Sequence, residues 1–309
     1  MSGLRARAGE YLAMRRALGF KLETQGPRLM SFVRFCEERG ASRVTTDLAV
    51  EWAAATTSRS EAYQARRLDV VRIFARHLQA LDPATEVPAD DVLSRRQCRI
   101  PPYLYSPEEV AALMEAAGAL TPAIRAATWR TLIGLLAVTG MRKAEACRLS
   151  RGDTGLQTGT LTIRDSKFGK SRMVFLHPTA VAALRAYAKA RDEAIPAPEA
   201  DTFLVNSRGR PLDPHNIQRT FTALAAEAGI QAPPGRRPPR LHDLRHSFTV
   251  ATMLDWYRDG GDVQARLPVL STWLGHIDPK STYWYMQAVP ELLALAAGRL
   301  EQASGEAAR

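Results

Sequence analysis

The feature that most constrains this chain is a break. Between Leu81 and Tyr105 prolines 83, 88, 101 and 102 interrupt every helical or strand pattern, and Arg95, Arg96 and Arg99 cluster there. Proline removes a backbone donor and clashes with a preceding helical turn, so no regular element runs through this stretch. A new element starts firmly at Ser106-Pro107-Glu108-Glu109. Ser106 is placed to cap, Pro107 sits at the first helical position, and Glu109 completes a capping box. The boundary falls near residue 103, which predicts a helical domain over 1–94, a basic linker over 95–105 and a second domain over 106–309. A chain of 309 residues carries about two domains by length alone. With 46% apolar and 24% charged residues both can bury ordinary cores, which excludes a disordered or fibrous chain.

The two parts read differently. Before the break the patterns are helical: Pro27 to Arg39, stopped by Gly40, then Asp47 to Ala55 capped by Thr46, then Ser60 to Leu81. The last of these carries Val70, Ile73, Phe74 and Leu78 on one stripe, with Arg59, Arg66, Arg67, Arg72 and Arg76 interspersed. After the break helices are expected at Pro122 to Val138, Arg142 to Leu149, Pro178 to Arg191, Asn216 to Ala228, His242 to Trp256 and Val269 to Leu274. Alternating Thr160 to Arg164 and Arg172 to Leu176 predict a β-hairpin whose tip carries Lys167 and Lys170. Residues 289–302 read as an amphipathic helix with Leu292, Leu293 and Leu300 on one side. The expected fold is mainly α with a small β-hairpin.

Charge narrows the partners. Lys and Arg number 42 against 32 Asp and Glu, giving a net charge of +10 and a pI near 9.9. That balance suits a polyanion such as nucleic acid. Cys36, Cys98 and Cys147 are odd in number and far apart, which predicts neither a zinc site nor a disulfide framework but free thiols in a reducing cytoplasm. The first residues contain no apolar signal core, and the longest apolar stretch, Leu132 to Val138, is far short of the ~18 residues that a membrane span needs. A cytoplasmic protein without membrane, metal or cofactor is expected.

Four segments of the second part gather groups suited to a phosphate. In Thr139-Gly140-Met141-Arg142-Lys143-Ala144-Glu145, Gly140 ends one helix and Arg142 opens the next, with Glu145 three residues on to orient the guanidinium. The hairpin tip offers Lys167 and Lys170 as flexible ammonium groups. In Arg240-Leu241-His242-Asp243-Leu244-Arg245-His246, His242 and Arg245 share a helical face, and an arginine fork can hold two phosphate oxygens. In the run from Leu274 to Tyr285, Gly275 ends a helix and exposes His276, and Tyr285 follows nine residues later. Singly these are an ordinary helical ion pair, a solvated turn, a chance pairing and aromatic core packing.

Together, in this order and spacing, they resemble the tyrosine recombinase (phage integrase) family from about Ser106 to Gln287. The preceding helices are similar to that family's core-binding domain, and the run around Tyr-Trp-Tyr resembles integrases of bacterial mobile elements. The resemblance implies a helical core-binding domain plus an α+β catalytic domain. It implies Arg142, Lys167, His242, Arg245, His276 and the nucleophile Tyr285 as catalytic residues, supported by Glu145; Tyr283 is the alternative nucleophile. Arg66, Arg67, Arg95, Arg96, Arg99, Lys170 and Arg172 are the further candidates for DNA contact.

The chemistry these roles describe is phosphoryl transfer without a metal. The arginines neutralise the phosphate, His242 takes or relays the tyrosine proton, and Lys167 protonates the departing 5′ oxygen. A 3′-phosphotyrosine preserves the bond energy for religation. The implied partner is double-stranded DNA with specific sites, gripped between the two domains. The free protein is expected as a monomer or weak oligomer and the DNA complex as a tetramer, with accessory or sister recombinases acting beside it. The C-terminal helix is expected to pack on a neighbouring protomer. A type IB topoisomerase shares the chemistry, and a DNA-binding regulator that never cuts is the reading from another class.

Overall fold

The computed structural model describes residues 3–56, 60–93, 101–166, 169–276, 278, 282–285 and 289–307, without the side chains of 215 and 299–307. The chain divides into two compact units, Met1–Arg99 and Ile100–Arg309.

The first unit is a bundle of α1 (Leu4–Ala17), α2 (Gln25–Glu38), α3 (Thr46–Ala54) and α4 (Glu61–Gln79). Its core joins Leu4, Ala8 and Leu12 of α1, Leu29, Phe32 and Val33 of α2, Trp52 of α3 and Leu68, Val71, Phe74 and Leu78 of α4. Two details correct the expectation. Thr45, not Thr46, caps α3, its Oγ1 accepting from Leu48 N at 3.3 Å. The buried stripe of α4 runs through Leu68 and Val71, whereas Ile73 is exposed. The stripe turns this way because Arg72 is buried and satisfied: its Nε donates to Pro88 O at 2.8 Å and Nη2 to Ala89 O at 2.7 Å. These bonds fasten the proline-containing strip 88–89 to α4.

The second unit contains α5 (Pro107–Gly118), α6 (Ala123–Thr139), α7 (Lys143–Arg148), β1 (Thr154–Gly155), β2 (Thr160–Ile163), β3 (Arg172–Phe175), α8 (Pro178–Ala194), α9 (Pro214–Glu227), α10 (Asp243–Arg258), α11 (Val263–Leu274) and α12 (Pro290–Ala307). The Ser106 capping box forms as expected, with Glu109 N on Ser106 Oγ at 3.2 Å and Ser106 N on Glu109 Oε2 at 2.9 Å. Tyr105, expected in the linker, is buried in this unit, its hydroxyl donating to Arg240 O at 3.1 Å. Largely buried α6 packs on α5, α8 and α10.

The hairpin is antiparallel, pairing Thr160 with Phe175 and Ile163 with Arg172, and β1 adds a short third strand beside β2. Alternation turns Leu161, Ile163 and Val174 inward and leaves Met173 and Phe175 exposed. Arg172 shares the inward face with Val174, which aims its guanidinium at the protein.

Helix α11 starts earlier than expected, at Val263, with Asp262 capping Ala265 N at 3.0 Å and Pro268 inside the helix. A separate apolar cluster joins Val250 and Met253 of α10, Val263, Leu267, Leu270 and Leu274 of α11, Tyr285, and Val289 and Leu292. Helix α12 thus seats Leu292 of its first turn in the apolar cluster of its own domain. Leu293 is 48% exposed, so it does not share a face with Leu292 as expected; the Leu300 side chain lies outside the described residues. No helix among the described residues is long and apolar enough to cross a membrane.

Candidate active site

Two glycines end two helices at the same place. Gly140 closes α6 at φ +61 and Gly275 closes α11 at φ +66, a left-handed conformation that favours glycine. Space enforces the choice as well. A Cβ on Gly140 would strike the Phe248 ring, and one on Gly275 would lie 2.8 Å from Arg172 Nη1 and 3.4 Å from Arg142 Nη1.

The helix ends opened this way hold the arginines. Arg142 caps α7, its backbone N donating to Glu145 Oε2 at 2.9 Å. Its side chain donates from Nη1 to Glu145 Oε1 at 2.7 Å and from Nη2 to Gly275 O at 2.9 Å. Buried Arg245 donates from Nη1 to Gly140 O and from Nη2 to Leu274 O, both at 2.7 Å. Those carbonyls are the negative ends of α6 and α11, which favour a cation. Burial, then neighbouring Arg142, pull Arg245 down to about 9, so it is still charged at neutral pH.

Glu145 is 4% exposed and binds two arginines. Arg172 donates to it from Nη2 at 2.8 Å and from Nη1 at 3.2 Å, and from Nε to Trp273 O at 2.6 Å. Burial alone would raise the Glu145 carboxyl; the bonds from Arg172 and Arg142 overcome it and hold it at about 2. Three guanidinium groups around one carboxylate leave positive charge in excess, which an anion would neutralise.

Imidazoles and the tyrosine lie beside this cluster. His276 Nδ1 and Thr282 Oγ1 are 2.8 Å apart, and Thr282 is buried against Ser271. His242 precedes α10 and meets His246 edge-on, ring centroids 5.0 Å apart. Tyr285 is 2% exposed and its hydroxyl is hydrogen-bonded to His246 Nδ1, whereas Tyr283 is 46% exposed. Burial is the first cause that lowers all three imidazoles, His242 and His276 to about 4 and His246 to about 3; Arg245 is the next for His242 and His276, and His242 the next for His246.

The structure thus brings Arg142, Glu145, Arg245 and His276 together, with His242 and Tyr285 alongside. Lys170 is exposed on the hairpin and Arg66 is exposed on α4 in the other unit. Lys167, Arg95, Arg96 and Arg99 lie outside the described residues. Two further candidate DNA contacts are bonded within the protein. Arg67 is 8% exposed, its guanidinium 4.1 Å from the Trp52 ring centre and bonded to Thr56 Oγ1 at 2.9 Å, so it packs instead of facing solvent. Arg172 donates to Glu145 and to the Trp273 carbonyl. Sequence reading gave the Tyr285 proton to His242 and assigned His246 nothing; the imidazole on that hydroxyl is His246. Among the described residues no cluster of His, Cys, Asp and Glu is arranged to hold a metal.

Known proteins resemble this chain in sequence and in fold. The phage integrase family matches residues 104–291. A Sinorhizobium fredii protein, y4rB, named as an integrase/recombinase, is 40% identical over 98% of both chains. The tyrosine recombinase XerD of Rhizobium meliloti is 30% identical over 74% of this chain and 71% of its own. The fold is similar to that of the Tn1549 transposon integrase in complex with transposon right end DNA, with a TM-score of 0.69 at 16% identity over 96% of this chain and 98% of that one. On this evidence the chain belongs to the phage integrase family and is a tyrosine site-specific recombinase.

Proposed function

We propose that this recombinase cuts and rejoins DNA at the ends of a mobile element, with Tyr285 as the nucleophile. Arg142 and Arg245 hold the non-bridging oxygens of the scissile phosphate, and His276 bonds to it. Their hold strengthens as charge builds in the pentavalent transition state. Glu145 and Arg172 fix Arg142 in place. Tyr285 attacks phosphorus, a 3′-phosphotyrosine forms, and Lys167 protonates the 5′ oxygen that leaves. Attack by another 5′ hydroxyl then reverses the chemistry and joins the new strand.

One observation carries this reading. Arg245 and His246 are consecutive residues, one fixed at the helix ends beside Arg142 and the other bonded to the Tyr285 hydroxyl. The likeness to the integrase/recombinase y4rB and to a transposon integrase supports a mobile element as the substrate. The N-terminal unit is the core-binding domain and adds phosphate contacts, Arg66 among them. Recombination joins two duplexes, so the working assembly is a tetramer on DNA, formed in the cytoplasm and open to a sister recombinase or an accessory protein.

The test is covalent trapping. Protein is incubated with nicked duplexes taken from the DNA flanking its gene and run on a denaturing gel. A covalent band lost with Tyr285→Phe and kept with Tyr283→Phe is expected. A band that survives Tyr285→Phe would remove Tyr285 from its role.

A further inference from the structure

The base that activates the tyrosine is distinct from the phosphate clamp, and one residue is placed for it. His246 presents Nδ1 to the Tyr285 hydroxyl, the rings 5.5 Å apart at 52°. Its other nitrogen, Nε2, lies 3.9 Å from Asp243 Oδ1. That is too long for a hydrogen bond but near enough for the carboxylate to favour a proton on Nε2. Asp243 is itself buried and fixed, its Oδ1 accepting from Arg240 Nη2 at 2.7 Å and its Oδ2 from Arg240 N at 2.9 Å. With the proton on Nε2, Nδ1 has a lone pair and the phenol must be the donor. His242 and Trp284 both meet the ring edge-on, at 5.0 and 6.4 Å between centroids, which limits its rotation.

We infer that His246 takes the Tyr285 proton during strand cleavage and returns it during religation, with Asp243 holding its tautomer. This rests on the reading of Tyr285 as the nucleophile. As the Oη–phosphorus bond forms, the bond from phosphorus to the 5′ oxygen breaks. The phenol proton moves to Nδ1, and the leaving oxygen receives a different proton from Lys167. The imidazolium left behind faces the Asp243 carboxylate. On rejoining, the same proton returns to Oη. Tyr285, His246 and Asp243 thus form a relay in the order nucleophile, base and orienting acid.

The experiment is single-turnover trapping on the same nicked duplexes, with wild type, Tyr285→Phe, His246→Ala and His246→Gln. Both His246 variants are expected to bind DNA as wild type does and to form the covalent product roughly 10²–10⁴ times more slowly. Added imidazole restores part of the rate to His246→Ala and none to Tyr285→Phe. A duplex with sulfur in place of the scissile 5′ oxygen needs no acid to leave, so it should not rescue either His246 variant. The Gln variant guards against misfolding, because its carbonyl can still accept from the phenol and cannot take the proton. Cleavage by His246→Gln at the wild-type rate would reduce His246 to a positioning residue. Rescue by the sulfur duplex would place His246 on the leaving-group side. Either result overturns the inference while Tyr285 stands. A covalent band with Tyr285→Phe would instead overturn the nucleophile reading itself.

Discussion

Arg172 on β3 grips the Glu145 carboxylate on α7 with both terminal nitrogens, at 2.8 and 3.2 Å, while Arg142 holds the same carboxylate from the other side. One buried charge thereby ties the hairpin, the helix and a catalytic arginine into one unit. Removing it should leave the nearly buried Arg172 guanidinium and the half-buried Arg142 guanidinium without a counter-charge. Glu145→Ala is expected to lower unfolding free energy by about 3–5 kcal/mol, the usual result of breaking a buried pair. Urea unfolding at pH 7 measures it, and a change within error would sink the idea. The acid dependence follows from the same charge. Glu145 titrates near 2 in the fold and near ~4.3 unfolded, so its contribution is complete above ~4.3 and is lost as pH falls toward 2.

Arg245 invites a sharper substitution. Both terminal nitrogens are used, one on each helix end. Arg245→Lys keeps the charge but cannot span Gly140 O and Leu274 O together. Trapping should fall by about 10² or more, the typical cost of losing one oxyanion-stabilising donor, while duplex binding changes little. Equal trapping by the lysine variant would show that charge alone suffices there.

Much of this site was legible because its parts are local. The Ser106–Glu109 box, the helix ends at Gly140 and Gly275 and the Arg142–Glu145 pair each lie within a few residues. What joins the parts was not legible. His246 and Tyr285 are 39 residues apart, as no helical or strand period would suggest. Arg172 reads as a basic hairpin residue until the strand register turns it inward. The α4 stripe was misplaced because two apolar stripes compete there. The one that buries Arg67 and Arg72 prevails, since the Pro88 and Ala89 carbonyls satisfy Arg72. Helix α11 begins at Val263, six residues before the expected Val269, and carries Pro268 inside it.

Protons should accompany DNA. His242 and His276 titrate near 4 in the free protein, lowered first by burial and then by Arg245. A phosphate seated on the arginines favours the charged imidazole and raises both values. At pH 5.5 binding should take up about one proton, which calorimetry in buffers of different ionisation heat detects. Binding heats that do not depend on the buffer would contradict this. The free protein carries the opposite sign. Its neutral imidazoles contribute fully above ~6.5, and that stability is lost as pH falls through ~6.5 toward 4.

The two neighbouring arginines of α4 should behave differently in salt. Arg66 is exposed and proposed to touch phosphate, so Arg66→Ala should flatten the log–log salt dependence of binding by about one. Arg67 packs on Trp52 and bonds Thr56. Arg67→Ala should leave the slope unchanged and lower stability by about 1–2 kcal/mol instead. Filter binding across a salt series, paired with thermal unfolding, separates them. An unchanged slope for Arg66→Ala would take it off the DNA.

Gly275 allows the last prediction to be controlled within the same molecule. Gly275 and Gly260 both have positive φ, +66 and +78, so alanine at either strains the backbone by roughly 1–2 kcal/mol. Their surroundings differ. A Cβ at Gly260 meets nothing within 4 Å, whereas one at Gly275 meets Arg172 at 2.8 Å and crowds Arg142. Arg172 cannot move aside without releasing Glu145 or the Trp273 carbonyl. Gly275→Ala should therefore lose trapping activity by about tenfold or more, the effect of a displacement of about an ångström at a preorganised site. Gly260→Ala should lose stability to a similar degree and keep the rate. If both variants trapped DNA equally fast, the close approach of Gly275 to the two arginines would have no bearing on catalysis.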